Sequence, residues 1–220
     1  MTIADSRPGP GGQPFPYVVP PEPPDAPTSR PAPVVPTVPD PFSSGPDLDG
    51  LLFEQRRVLL TGPLDTDTAN RLAGQLMALD GASAKPIELA VNSPGGPLAD
   101  LFTVLDVLSL LRAPVSTTCF GRAGGTAAFV LAAGTHGRRA TPNALVSLRG
   151  EGHPPIAGTS ARIEAEAEQL RDLRDRAATW LATVSARTAA QILHDMESGT
   201  WLDAEAARTQ GLVDEVVNRR

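Results

Sequence analysis

From residue 56 onward, apolar positions come in short runs whose period switches between that of a strand and that of a helix. RRVLLTGPL (56–64) is a compact apolar run stopped at Gly62-Pro63, the pattern of a short buried strand. Asp65 and Asp67 then precede Ala69, Leu72, Ala73, Leu76 and Leu79 at three- and four-residue steps, which predicts a capped amphipathic helix closing at Gly81. PIELAV (86–91) predicts a second strand, broken by Asn92-Ser93-Pro94-Gly95-Gly96 and followed by a helix over 98–112. The unit repeats at once, with a β-branched strand over 115–120, a glycine turn over 121–125 and a helix over 126–133. A third short strand is expected over 145–148.

Residues 160–184 read as one long charged helix of about 37 Å, whose Ile163, Leu170, Leu173 and Trp180 set out an apolar stripe. Most of its circumference is polar, so it is expected to project toward a partner subunit or to lie as a surface helix on its own core. Thr188 with Gln191 three residues on predicts a capped helix to about Met196. A last helix starts near Asp203 and is ended by Gly211, and 212–217 predicts a final strand. Alternating strands and helices indicate an α/β fold.

No such period survives in residues 1–46, which hold 15 of the 23 prolines. Fixed φ and missing N–H groups predict a disordered Pro-rich arm there, followed by one domain over 47–220. Val18-Val19 and Val34-Val35 beside prolines are the only hints of a groove-binding segment in that arm. The chain carries a net charge of −6, and its basic residues are scattered, which argues against a nucleic-acid surface. One cysteine, Cys119, excludes an internal disulfide and a cysteine-based zinc cluster. His136, His153 and His194 are too scattered to form a paired ligand set, so neither metal nor cofactor is expected. Residues 2–12 carry neither a basic nor an apolar signal region, and no apolar run is long enough to span a bilayer, so a soluble cytoplasmic protein is expected.

The two glycine turns carry the candidate chemistry. Each places glycines where a strand meets a helix N-terminus, so bare backbone N–H groups can face an incoming oxygen with the helix dipole behind them. The plain alternative is a tight turn that needs glycine for its backbone angles.

Taken in order, RRVLLTGPLDTDTANRL, VNSPGG, VSTTCFGRAGG with LAAGTHGRR, PNALVSL, the long helix and WLDAEAARTQGLVDEVV resemble the proteolytic subunit of the Clp protease, a family of the ClpP/crotonase fold. The resemblance runs from about Leu52 to Val217 and implies a spiral of ββα units with a projecting handle helix. In active members it also implies a Ser-His-Asp peptidase enclosed in two stacked seven-subunit rings. Carried over residue by residue, the nucleophile's position falls on Gly125, the base's on Arg149 and the aspartate's on Gly199. Glycine has no hydroxyl or carboxylate, and arginine stays protonated near neutral pH. The oxyanion donors fall on the backbone N–H groups of Gly96 and Thr126, so a hole without a nucleophile is expected. By the same resemblance, positions where family aromatics receive the ATPase ring hold Glu88 and Ala90, which argues against Clp ATPase docking, and Ser198-Gly199 replaces an Arg-Asp step used between rings.

These residues imply an inactive subunit that assembles with itself or with ClpP-like paralogues. Two alternatives stand beside it. One is a peptidase or acyl hydrolase with a relocated nucleophile, Thr126 acting with His153, or Ser147. The other is a crotonase-fold binder of acyl-CoA or another small ligand, for which Arg122, Arg138 and Arg139 supply the only local positive charge. Arg149 is expected to fill the space left by Gly125 and Gly199 and to seek Glu151 or Asp195.

Overall fold

The computed structural model describes residues 48–149 and 158–217. The Pro-rich arm, His153 and Glu151 lie outside the described residues. The elements run α1 (Leu48–Glu54), β1 (Arg57–Pro63), α2 (Thr66–Ala82), β2 (Ile87–Gly95), α3 (Leu98–Leu110), β3 (Val115–Gly124) and α4 (Thr126–Ala132). They continue through β4 (Arg138–Ala140), β5 (Leu145–Ser147), α5 (Ser160–Val184), α6 (Ala189–Ser198), β6 (Leu202–Asp203), α7 (Ala204–Thr209) and β7 (Glu215–Val216).

β1, β2, β3, β4 and β7 form a parallel sheet in that order. One face carries Val58, Leu60, Ile87, Leu89, Val91, Val115 and Cys119, all buried with the inner faces of α2, α3 and α4. α2 buries Ala69, Leu72, Ala73, Leu76 and Leu79, the five positions its sequence period picks out, and the Asp65 carboxylate accepts from the Thr68 N–H at its start. α4 is buried along its whole length, which its run of Ala, Phe, Val and Leu permits.

β3 positions the site because it serves two partners in turn. Thr117, Thr118 and Cys119 pair with β4, whereas Arg122, Ala123 and Gly124 pair with β5, which in turn pairs antiparallel with β6. Both β2 and β3 run further than their apolar runs predict. Ser93 pairs with Ala123 across a register shift, so the residues expected to break the strands extend them into the glycine turns. The Asn92 Oδ1 braces this irregularity by accepting from the Arg122 N–H at 3.2 Å.

Two further expectations are corrected. On α5 the buried residues are Ala177, Ala178 and Leu181, while Ile163 is exposed and Leu170, Leu173 and Trp180 are half-buried. Small alanines allow close approach at the helix's C-terminal half, and the stripe that sequence suggests only borders that contact. The final strand shortens to Glu215–Val216. α1, β4 and β6 had no expectation attached to them.

Candidate functional site

The ends of β2 and β3 bring the two glycine turns together. Gly125 caps α4 with φ 48° and ψ −124°, a positive-φ geometry that glycine adopts freely and that would strain any residue with a side chain, of the kind that lifts a nucleophile clear of a strand-to-helix turn. Here that position carries a hydrogen atom. Thr126 follows as the first residue of α4 and is 3% exposed.

In the first turn the backbone groups of Gly95 and Gly96 are all engaged. The Gly95 N–H donates to Ser93 Oγ at 3.0 Å, and the Gly95 carbonyl accepts from the Leu64 N–H at 3.0 Å. The Gly96 N–H donates to Thr126 Oγ1 at 2.7 Å, and that hydroxyl is within 3.3 Å of the Gly96 carbonyl, to which it donates. Of the two N–H groups expected to form the hole, that of Gly96 is thus already bonded. Gly96 and Thr126 do meet, but through the threonine side chain. The close approach of β3's end to β2's demands glycine at position 95, where a Cβ would stand 2.3 Å from the Gly124 carbonyl oxygen.

Ser147 is buried on β5 beside Gly124, and its Oγ accepts from the Arg149 N–H at 3.3 Å. Trp201 lies over the same place, since a Cβ on Gly124 would stand 3.3 Å from its ring. Arg149 is exposed rather than filling a buried pocket. Its side chain crosses Gly199, where a Cβ would stand 2.7 Å from Arg149 Cδ and 3.0 Å from Nη1. The Nη1 group donates to the Glu197 carbonyl at 3.5 Å. Asp195 is not its partner, because that carboxylate pairs with Arg187.

No described histidine reaches this corner as a base. The His136 N–H donates to the Val115 carbonyl at the opposite end of β3, about 30 Å of strand away from Gly124. His194 is exposed on α6. Burial pushes the Cys119 thiol up to about 12, which removes it as a nucleophile.

Two guanidinium groups considered for an anionic ligand are already committed. Arg138 donates to the Asp214 carboxylate and to the Val184 and Gly211 carbonyls at 2.7 and 2.8 Å. Arg139 pairs with Glu215 at 3.8 Å. A cavity of about 570 Å³ opens elsewhere, between α3, the α4–β4 loop and the end of α5, and includes Leu105, Ala132, Thr135, Arg138 and Trp180 in its wall. None of the glycine-turn residues lines it. On the sheet's other face, Glu88 pairs with Arg57 at 2.8 Å beside half-buried Ala90.

The family model described as Clp protease matches residues 44–220. The chain belongs to the Clp protease family. It is 39% identical to an ATP-dependent Clp protease proteolytic subunit-like protein of Streptomyces coelicolor, over 82% of this chain and 84% of that protein. It is 34% identical to ATP-dependent Clp protease proteolytic subunit 1 of Salinibacter ruber, over 78% of this chain and 74% of the relative. The same identity relates it to ATP-dependent Clp protease proteolytic subunit 2 of Corynebacterium jeikeium, over 77% and 82%. The Clp fold accounts for the sheet, the buried α4 and the long α5. The site residues that sequence reasoning missed are Ser93, Leu64 and Asn92, which fix the turns from neighbouring strands. Only Ser93 had a sequence signal, as a hydroxyl two residues before a glycine N–H.

Proposed function

We propose that this chain is a catalytically inactive Clp-type subunit that assembles, with itself or with active paralogues, into the proteolytic ring and acts there as a structural or regulatory member. The observation that carries this reading is the set of side chains at Gly125, Arg149 and Gly199, which offers no hydroxyl, no base and no carboxylate. Triad members act as a unit, and the loss of any one leaves only the small catalysis that an oxyanion hole and binding can supply. Replacement nucleophiles gain no support, because the Thr126 hydroxyl is spent on Gly96 and Ser147 holds the Arg149 N–H.

The Glu88–Arg57 ion pair falls at the position to which the resemblance assigns an apolar ATPase loop. Covering it would strip water from two charges, so the proposed subunit relies on neighbours in its ring for any contact with the ATPase. The Pro-rich residues 1–46 are proposed as an appended arm on a domain spanning 47–220, and the location as cytoplasmic. No described helix is long and apolar enough to cross a membrane.

The test is the mass of the purified chain by light scattering, alone and mixed with a Clp proteolytic-subunit paralogue, with a fluorogenic peptide assay on the same fractions. A ring-sized particle without turnover, or a mixed ring whose turnover falls with the share of this chain, is expected. A monomer that ignores the paralogue, or robust turnover by the chain alone, would sink the proposal.

A further inference from the structure

We infer that Thr126 closes the glycine turn to peptide, so that this subunit neither cleaves nor captures a substrate backbone at this corner. The inference deepens the reading above and rests on its placement of the former site. The Gly96 N–H is one of the two donors expected to receive a carbonyl oxygen, and an added strand would have to pair with the four backbone groups of Gly95 and Gly96. All four have internal partners. Gly95 is held by Ser93 Oγ and the Leu64 N–H, and Gly96 is held on both sides by one hydroxyl.

The threonine contact is built to stay. Its 2.7 Å length is at the short end for an N–H···O bond. The side chain is buried and β-branched, with few alternative χ1 positions. Gly95 closes on it from one side, where a Cβ would stand 3.0 Å from Oγ1. A substrate oxygen reaching the Gly96 N–H must expel the hydroxyl, which would then lose both of its partners in a buried place. Exchange of one hydrogen-bonded pair for another yields no net gain, whereas burying the unpaired hydroxyl carries a penalty. Thr126 thus stands in for the oxygen atom that the turn would otherwise bind, as a positioning residue for a closed state.

Amide hydrogen exchange at Gly96 tests this, with the Gly95 N–H as an internal reference because its acceptor is Ser93. The wild-type chain and Thr126→Ser, which keeps the acceptor, are expected to protect Gly96. Thr126→Val, which keeps the shape and removes the acceptor, is expected to speed Gly96 exchange by about ten-fold or more, with Gly95 unchanged. Equal Gly96 exchange in wild type and Thr126→Val overturns the inference. A second measurement needs no variant. Titration of the wild-type chain with N-acetyl-Leu-Leu-amide is expected to leave the Gly96 amide signal in place up to millimolar peptide, and a saturable shift overturns closure. The two readings fail separately. Turnover by the wild-type chain removes the inactive-subunit reading, whereas free Gly96 exchange in an inert chain removes only the closure.

Discussion

Arg138 shows how one side chain ties distant parts of this chain. Its guanidinium reaches the Val184 carbonyl at the end of α5, the Gly211 carbonyl and the Asp214 carboxylate, and its side chain is 14% exposed. Arg138→Met keeps the stem and removes the donors, leaving two carbonyls and a carboxylate without them. A loss of about 2–3 kcal/mol in unfolding free energy is expected, the scale of charge-assisted bonds removed from one partner. Denaturant unfolding checks it, and a loss under half of that would mean that water replaces the guanidinium. Gly199 makes a second residue-scale case. Its φ of +74° closes α6 in the left-handed region, and Arg149 occupies the place of a Cβ. Gly199→Ala is therefore expected to cost about 1–2 kcal/mol, part of which returns in an Arg149→Ala background where the clash is gone. Identical costs in both backgrounds would show that the backbone angle alone is responsible.

At the scale of elements, the caps are the parts that sequence states most directly. Thr188 and Gln191 form a reciprocal capping box at the start of α6. Thr188→Ala is expected to lower stability by about 1 kcal/mol, measured by thermal unfolding, while Thr188→Ser stays near wild type. The inward face of α2 was equally legible, because a three- and four-residue apolar period is itself the record of a buried face. The stripe on α5 misled for a related reason. Period identifies which face is apolar, but not how much of that face the domain covers, and here Ala177 and Ala178 take the contact. β4 and β6, of three and two residues, are too short to carry any period. The closure by Thr126 had no local signal at all. It joins residues 30 apart in sequence and exists only because β2 and β3 lie parallel in register. The proposed vacancy at Gly125 rests on the resemblance, whereas the occupation of the Gly96 N–H required the geometry.

For the molecule as a whole, acid response follows from which carboxylates are held in their charged form. The Thr68 N–H lowers Asp65, the Ala113 N–H lowers Asp80, Arg174 lowers Glu197 and Arg138 lowers Asp214, each below its ordinary value. A carboxylate lowered in the folded state adds stability that is full above its unfolded value and is lost as pH falls through its folded value. All four act in the same direction, so Tm is expected to be level near neutrality and to fall below about pH 4. Asp80 offers the cleanest separation of this effect from packing. It lies near the end of α2, and its carboxylate accepts from the N–H groups of Arg112 and Ala113 at 2.9 and 2.7 Å, fastening α2 to the turn before β3. Asp80→Asn keeps the shape and one acceptor oxygen but removes the charge. Its Tm should lie below wild type at neutral pH, and the gap should narrow as the medium falls below about pH 4, where Asp80 of the unfolded chain takes up its proton, and close once the folded carboxylate, held lower by the Ala113 N–H, is neutral as well. A gap that stays constant across the whole acid range would assign the role of Asp80 to its geometry instead of its charge.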